Sequence, residues 1–340
     1  MTDATRDPRP ERTRRDWLKR LAAVGLAVSP ITDARVSAAT PERYPSRPIR
    51  IVVPWAPGGL VDSGGRILSE LLFRAFGLPA PVENVPGAAG TLGADQVAKA
   101  PADGHTLLMA TSSLTIDVAV GRRTPYDPTI DLAPVALVAD THSVVIVPPD
   151  SPIESIGQLI ESAKRKPGEL LYGTPGIGSP AHLFSALFCQ TAGIEMLHVP
   201  YGRTRAINDL LGGRLSVMFS TVPSALLQIR NKQVRPLAVT GPRRISSLPE
   251  VPTVIEAGLP GYEAGQWLGV FAPKGTPDDV VARLNQATTQ AIESPAVGAE
   301  LKQRGLEPRT GTPAEFARLF AADVAKWRNV IQKAGIQLKS

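Results

Sequence analysis

The chain has 340 residues, enough for two domains that each bury a core of their own. Apolar residues make up 43% and charged residues 20%, the balance of an ordinary globular chain, and the 33 prolines and 30 glycines are scattered rather than gathered in a low-complexity tract. Net charge is +6, half of it in residues 1–39, and the mildly basic remainder has no Lys/Arg run with interleaved aromatics, which argues against nucleic acid as a partner.

The first 39 residues read as an export signal. Arg14-Arg15-Asp16-Trp17-Leu18-Lys19 is basic, Leu21–Ile31 is apolar but too short to span a bilayer, and Val36-Ser37-Ala38-Ala39 supplies small residues for cleavage near Ala38-Ala39. Thr13–Lys19 also resembles a twin-arginine motif with Trp in place of Phe, so folded and unfolded export routes both stay open. A periplasmic location follows from either. No later apolar stretch is long enough to cross a membrane.

From Pro48 onward, β-branched runs alternate with helix-like periodicity. Strands are expected at 49–54, 81–84 and 105–110, with helices at 67–76 and 91–100 between and after the first two. Ala133–Val147 is long enough to run from one domain into another, although Asp140-Thr141-His142 interrupts it. A second series follows, with helices at 155–166, 181–191, 205–211 and 224–232 and strands at 170–173, 196–200, 215–220 and 234–240. The strand at 234–240 is a candidate for the return to the first domain. A strand at 267–272 and amphipathic helices at 277–294 and 313–334 close the chain. This order predicts an α/β protein of two domains, residues 44–140 with 241–340 and residues 141–240, each a mainly parallel sheet flanked by helices.

In open parallel sheets, ligands bind at the carboxyl ends of the strands, where this chain puts its unusual residues. After the first strand, Trp55-Ala56-Pro57-Gly58-Gly59 offers backbone N–H groups at a helix N-terminus, a setting for an anion or simply a tight turn. Asp62 competes with an anion for that helix dipole, and so orients the loop or bonds a ligand hydroxyl. Thr111-Ser112-Ser113 supplies hydroxyl donors for a carboxylate, or an N-cap. Gly176-x-Gly178-x-x-Ala181 is a partial dinucleotide fingerprint, but Pro180 precedes its helix and no acid follows the next strand. A second anion-receiving helix N-terminus suits it better. Arg203 and Arg205 suit a bidentate carboxylate contact or a solvated loop.

Cys189 stands alone and reads as a small buried hydrophobe. No nucleophile elbow, zinc-protease motif, Cys/His cluster or Walker sequence is present, so the chain reads as a receptor rather than an enzyme, with no metal and no cofactor. A dehydrogenase or hydrolase on two α/β domains is the rival from another class.

The chain resembles the substrate receptors of tripartite tricarboxylate transporters, the Bug family of periplasmic binding proteins. The marks run from Pro48-Ile49-Arg50 into Val53-Pro54-Trp55-Ala56-Pro57-Gly58-Gly59-x-x-Asp62, then Val82-Glu83-Asn84-x-Pro86-Gly87-Ala88-x-Gly90 and Pro125-Tyr126-Asp127-Pro128. They continue through Gly176-x-Gly178-Ser179-x-x-His182, His198-Val199-Pro200-Tyr201, Asp209–Gly213, Pro223–Leu226, Leu237–Thr240, Leu248–Thr253 and Glu256–Tyr262. The resemblance implies a type II Venus flytrap fold with crossing hinge strands and a carboxylate held largely by backbone and hydroxyl groups. By position it implies a cleft lined by Trp55, Ala56, Pro57, Gly58, Gly59, Asp62, Ser112, Ser113, Gly178, Ser179, His182, Tyr201, Arg203 and Ser220. A monomer that hands its ligand to inner-membrane transporter subunits is implied too, and a sensory receptor would use the same closure. Ser220 stands where many relatives have an acid or amide, which points to a di- or tricarboxylate or an aromatic carboxylate without a free amine. Ser63-Gly64-Gly65 makes a weak opening for the first helix, because glycine costs roughly 1 kcal/mol against alanine in a helix.

Overall fold

The computed structural model describes residues 44–202 and 206–337. The export segment, Arg203 and Arg205 lie outside the described residues. Three short parallel strands start the fold: β1 (Arg50–Val53) lies between β2 (Val82–Asn84) and β3 (Thr106–Thr111). Ile51, Val52 and Val53 are buried on both faces, as strands covered by helices on either side must be. The antiparallel strand β9 (Gly265–Pro273) follows β3, and the long strand β4 (Leu132–Val147) follows β9.

β4 does not stop at Asp140-Thr141-His142. Its first part pairs with β9 as far as His142, opposite Gly265. From Ser143 it enters a second sheet, pairing antiparallel with β7 (Val217–Thr221) on one side and, from Val144, with β8 (Arg235–Val239) on the other. Parallel strands β5 (Leu171–Thr174) and β6 (Leu197–Pro200) complete that sheet. The polar triplet therefore marks the change of sheet, not a break in the strand. β8, expected as the return strand, belongs wholly to the second sheet, and β9 re-enters the first. A two-residue strand, β10 (Glu307–Pro308), pairs with β4 at Ala139 and Asp140.

Helices cover both sheets. α1 (Leu60–Phe76) begins seven residues before the periodic run that announces it, straight through Gly64 and Gly65. A Cβ at Gly64 would strike the Leu268 side chain, and one at Gly65 would lie 2.6 Å from Val53 Cγ2. These glycines let the helix settle against β1 and β9, so what reads locally as a weakness is a packing requirement. α2 (Thr91–Ala98) and α3 (Ser113–Ala119) follow, then α4 (Ile156–Arg165), α5 (Pro180–Ala192), α6 (Ala206–Leu211) and α7 (Val222–Arg230) around the second sheet. α8 (Asp278–Ile292), α9 (Pro295–Gln303) and α10 (Pro313–Ala334) end the described chain. The short helices α3 and α9 are absent from the sequence-based expectation.

Each sheet has its own buried cores. Ile51, Leu68, Met109 and Leu268 pack around the first, while Val145, Phe184, Phe188 and Phe219 pack around the second. Residues 245–262 follow the second sheet, with Ile245, Leu248 and Val251 packed beside Val144 and Leu215, and Tyr262 beside Phe188. α10 serves both: Phe316 and Phe320 join the core around Trp267, and Trp327 joins that around Phe184.

Candidate functional site

The carboxyl ends of β1, β3, β5 and β7 open on one cleft of about 820 Å³, within the range of small-molecule sites. One wall is the loop Trp55–Gly59 with Leu60 and Val61 of α1, joined by Ala89, Thr111, Ser113 and Ile116. The opposite wall is the loop Pro175–Ser179 with Pro180, Gly202, Thr221 and Ser224, and Gln266 lies at the change of sheet.

At α1 the N-cap is Gly59, which offers no side-chain cap, so the first N–H groups of a 17-residue helix have no side chain to receive them. Asp62 is buried just inside that helix and faces away from the cleft. Its Oδ2 accepts from the Gly58 N–H at 2.9 Å and from Arg66 Nε at 3.0 Å, while Oδ1 accepts from Asn84 Nδ2 at 2.9 Å. The same Asn84 amide donates to the Trp55 carbonyl at 3.0 Å. Burial alone would raise the Asp62 pKa, but the hydrogen bonds from Arg66, Gly58 and Asn84 outweigh it and hold the group below its usual value. Of the two roles open to Asp62 in the sequence, the contacts are those of a residue that orients the loop. Gly58 spends its N–H on Asp62, which leaves Gly59 and the first turn of α1 as the donors toward the cleft.

At the end of β3, Thr111 Oγ1 and Ser113 Oγ lie 2.9 Å apart and both residues line the cleft. Ser112 is fully buried and its hydroxyl has no hydrogen-bond partner among the described residues. On the opposite wall, Ser179 caps α5, its Oγ accepting from the His182 N–H at 3.3 Å. His182 is buried behind the loop. Its Nδ1 accepts from the Gly178 N–H at 3.1 Å, and its ring stacks on His198 at 3.9 Å between centroids. Thr174 Oγ1 lies 2.6 Å from His198 Nε2 and ties that second ring to the end of β5. Burial, reinforced by the neighbouring His198, pushes the His182 pKa down to about 4, so the imidazole is neutral and free to accept near neutral pH. The two histidines buttress the loop that forms this wall of the cleft.

Of the expected residues, Trp55, Ala56, Pro57, Gly58, Gly59, Ser113, Gly178 and Ser179 come together on the cleft. Ser220 lines an adjoining hollow that shares Ser179, Thr221 and Gln266 with it. Tyr201 turns its hydroxyl to Asp209 Oδ2, donating at 2.8 Å. Asp62, Ser112 and His182 stand behind the walls. Polar cleft residues that the sequence reading passed over include Asp117, Arg122, Ser224 and Gln266. Asp117 lies on α3, a seven-residue helix whose short apolar pattern carries little signal, Arg122 follows three residues after its end, and Gln266 needed the change of sheet to be known. Cys189 is half-buried against the second core, and burial pushes its thiol up to about 11, which keeps it protonated and unreactive. Among the described residues no group of three His, Cys, Asp or Glu side chains is placed to hold a metal ion.

Residues 65–336 match the tripartite tricarboxylate transporter family receptor, TctC. The chain belongs to this family. It is 44% identical over 313 residues to the UPF0065 protein of the tcbD-tcbE intergenic region in Pseudomonas sp. (strain P51), a match covering 92% of each chain. Among solved structures, R. palustris Rpa4515 with adipate superposes with a TM-score of 0.78 at 34% identity, covering 86% of this chain and 99% of that one. MatC (Rpa3494) from Rhodopseudomonas palustris, with bound malate, gives a TM-score of 0.72 at 30% identity, covering 85% and 100%. The type II binding-protein fold is thereby established for this chain, and the family's receptors are periplasmic solute-binding proteins. No helix among the described residues is long and apolar enough to cross a membrane.

Proposed function

We propose that this receptor captures a small carboxylate without a free amine in the periplasm, closes its two lobes over it, and delivers it as a monomer to inner-membrane transporter subunits. The observation that carries the reading is the uncapped N-terminus of α1 on the cleft, opposite the Gly178-Ser179 turn and beside the Thr111, Ser113, Thr221 and Ser224 hydroxyls. Uncharged donors aimed at one space suit a carboxylate, which accepts several hydrogen bonds and gains from the helix dipole. Support comes from the relatives that hold adipate and malate, both carboxylates. The lobes in this reading are the first sheet, residues 44–140 with 265–312, and the second, residues 141–264, with α10 laid across both. Residues 1–39 direct export and are removed near Ala38-Ala39, and the cleft binds without catalysing.

Thermal unfolding of the purified chain against hexanedioate, benzoate, aspartate and NAD tests the reading, because a ligand that binds only the folded state raises stability by RT ln(1 + [L]/Kd). The expected result is a rise with one or more plain carboxylates and none with NAD. A rise with NAD alone would sink the receptor assignment, and a rise with aspartate alone would sink the exclusion of amines. The intact mass of the protein recovered from the periplasm checks the loss of residues 1–39.

A further inference from the structure

We infer that Glu307 is a latch behind the hinge: its carboxylate ties the two lobes together on the side away from the ligand, holds the cleft open, and so sets how tightly any ligand is bound. Only the closure of two lobes is taken over from the proposed function, and the chemistry of the ligand plays no part. Glu307 lies on β10, opposite Asp140 in the first-lobe part of β4. Its Oε1 accepts from the Ser246 N–H at 2.9 Å, and its Oε2 accepts from the Ser246 hydroxyl at 3.4 Å. Ser246 follows Ile245, which packs on the core of the second sheet. Among the described residues, this pair supplies the only side-chain hydrogen bonds that join residues 44–140 and 265–312 directly to residues 141–264. The other hydrogen bonds between the lobes run through the β4–β9 ladder or through α10.

Glu307 lines a hollow of about 640 Å³ that shares only Gln266 with the ligand cleft. The crossing strands lie between the two spaces, and side chains along a strand alternate in facing. Asp140 and His142 of β4 line the hollow, whereas Ser143 lines the ligand side. Cleft and hollow therefore sit on opposite sides of the hinge, and bringing the cleft walls together draws the back apart. Eight charged side chains line the hollow, counting acids and bases equally, so it widens by taking up water rather than by baring a core.

In this structure the front is unjoined and the back is tied. Among the described residues no hydrogen bond crosses the cleft from the wall at Trp55–Val61 and Thr111–Arg122 to that at 175–180, Thr221 and Ser224. Trp55 and Ile177, on opposite walls, remain 37% and 38% exposed. The Glu307–Ser246 bond belongs to this open arrangement. A bond made only with the lobes apart favours that state, and a ligand that closes them has to break it. The fraction of chain able to close sets the apparent affinity, so losing the latch tightens binding although no cleft residue is touched. Glu307 is a positioning residue in this sense.

Distances between nitroxide labels test the latch without any ligand. Leu92 and Leu227 are exposed, each three residues beyond a cleft residue, Ala89 and Ser224, on opposite walls. Leu92→Cys with Leu227→Cys, in a Cys189→Ala background, therefore reports the width of the mouth. Glu307→Met keeps the length of the side chain and removes both oxygens, and Glu307→Ala shortens it as well. Arg309→Met is the control, because the Arg309 bonds to Asp140 at 2.9 and 3.0 Å stay within the first lobe. Both Glu307 variants are expected to raise the ratio of short to long distances about three- to tenfold, the net weight of one exposed hydrogen bond. In calorimetry they should lower the Kd of hexanedioate by up to the same factor, and Arg309→Met should change neither readout. Should one Glu307 variant not fold, the other decides. Distances that both Glu307 variants leave unchanged overturn the latch. So does an equal shift in Arg309→Met, since a general softening of β10 would then suffice. Failure of hexanedioate to bind strikes only the carboxylate reading, and the unliganded distances still decide.

Discussion

Asp62 holds the Trp55–Gly59 loop from behind with three hydrogen bonds and is itself buried. Asp62→Ala removes the acceptor for a backbone N–H, for Arg66 and for Asn84. The expected cost is about 1–3 kcal/mol in urea unfolding, since polar groups are stranded, together with a loss of carboxylate affinity out of proportion to the distance from the ligand. Unchanged affinity in calorimetry would mean that the loop keeps its shape unaided. His182 makes a second prediction, one of pH. Its pKa lies near 4 in the folded chain against an ordinary value of 6.5, through burial first and His198 second. Unfolded chains therefore bind a proton that folded chains refuse between those values, so stability contributed above pH 6.5 is lost progressively as pH falls toward 4. His198 and His142, also lowered by burial, add in the same direction. Urea midpoints at pH 7, 5.5 and 4.5 should fall more gently in His182→Gln than in the wild type. An equal slope would acquit His182. In sequence, Asp62 was visible as an acid in a first turn. Its partner Asn84 reaches it only because β1 and β2 pair in parallel, with Val53 opposite Asn84, and no local pattern encodes that register.

At the scale of an element, α1 is where local propensity and packing disagree. Glycine inside a helix normally costs about 0.5–1 kcal/mol, so replacing it with alanine should stabilise. At Gly65 the added Cβ would meet Val53 Cγ2 at 2.6 Å, and at Gly64 it would meet Leu268. Gly65→Ala is therefore expected to destabilise by roughly 1–3 kcal/mol, the usual range for overpacking a tight core. Gly298, inside α9, is the control: its nearest heavy atom would be Pro308 Cγ at an ordinary 3.8 Å. Gly298→Ala should stabilise by about 0.5–1 kcal/mol. Opposite signs in the same denaturation assay are the expectation, and a stabilising Gly65→Ala would show that helix and sheet are not in contact there. This contrast explains why the helical periodicity of the sequence starts only at Ile67 although the helix starts at Leu60. Periodicity reports a buried face through its large apolar residues, and a face buried through glycines sends no such signal. The central strands β1, β3, β4 and β9, by contrast, were legible within a residue or two because they are buried on both faces and carry apolar runs.

For the whole molecule, the alternation of strands and helices and the length of β4 carried most of the fold. What stayed out of reach was where each late segment packs, because residues 245–262 and α10 are placed by contacts with chain about 50–140 residues earlier. α10 shows the consequence for stability. Its first half contributes Phe316, Phe320 and Val324 to the core around Trp267, and its second half sets Trp327 against Phe184 at 5.3 Å while Gln190 Nε2 donates to the Val330 carbonyl at 2.8 Å. One helix is thus shared by the cores of both sheets, across the change of sheet in β4. Trp327→Ala opens a cavity in the second core and is expected to cost about 3–5 kcal/mol. Trp327 does not line the cleft, so the ligand's own contribution should survive the substitution. At a concentration of 100 Kd, hexanedioate should add about 2.7 kcal/mol to the wild type and to Trp327→Ala alike, if the mutation leaves Kd unchanged. Paired urea titrations with and without the diacid separate the two possibilities. An equal increment means that α10 stabilises the lobes without shaping the cleft. A lost increment means that the helix sets the angle at which the Gly59 and Ser179 walls face each other, and affinity would then be governed from the far side of the molecule.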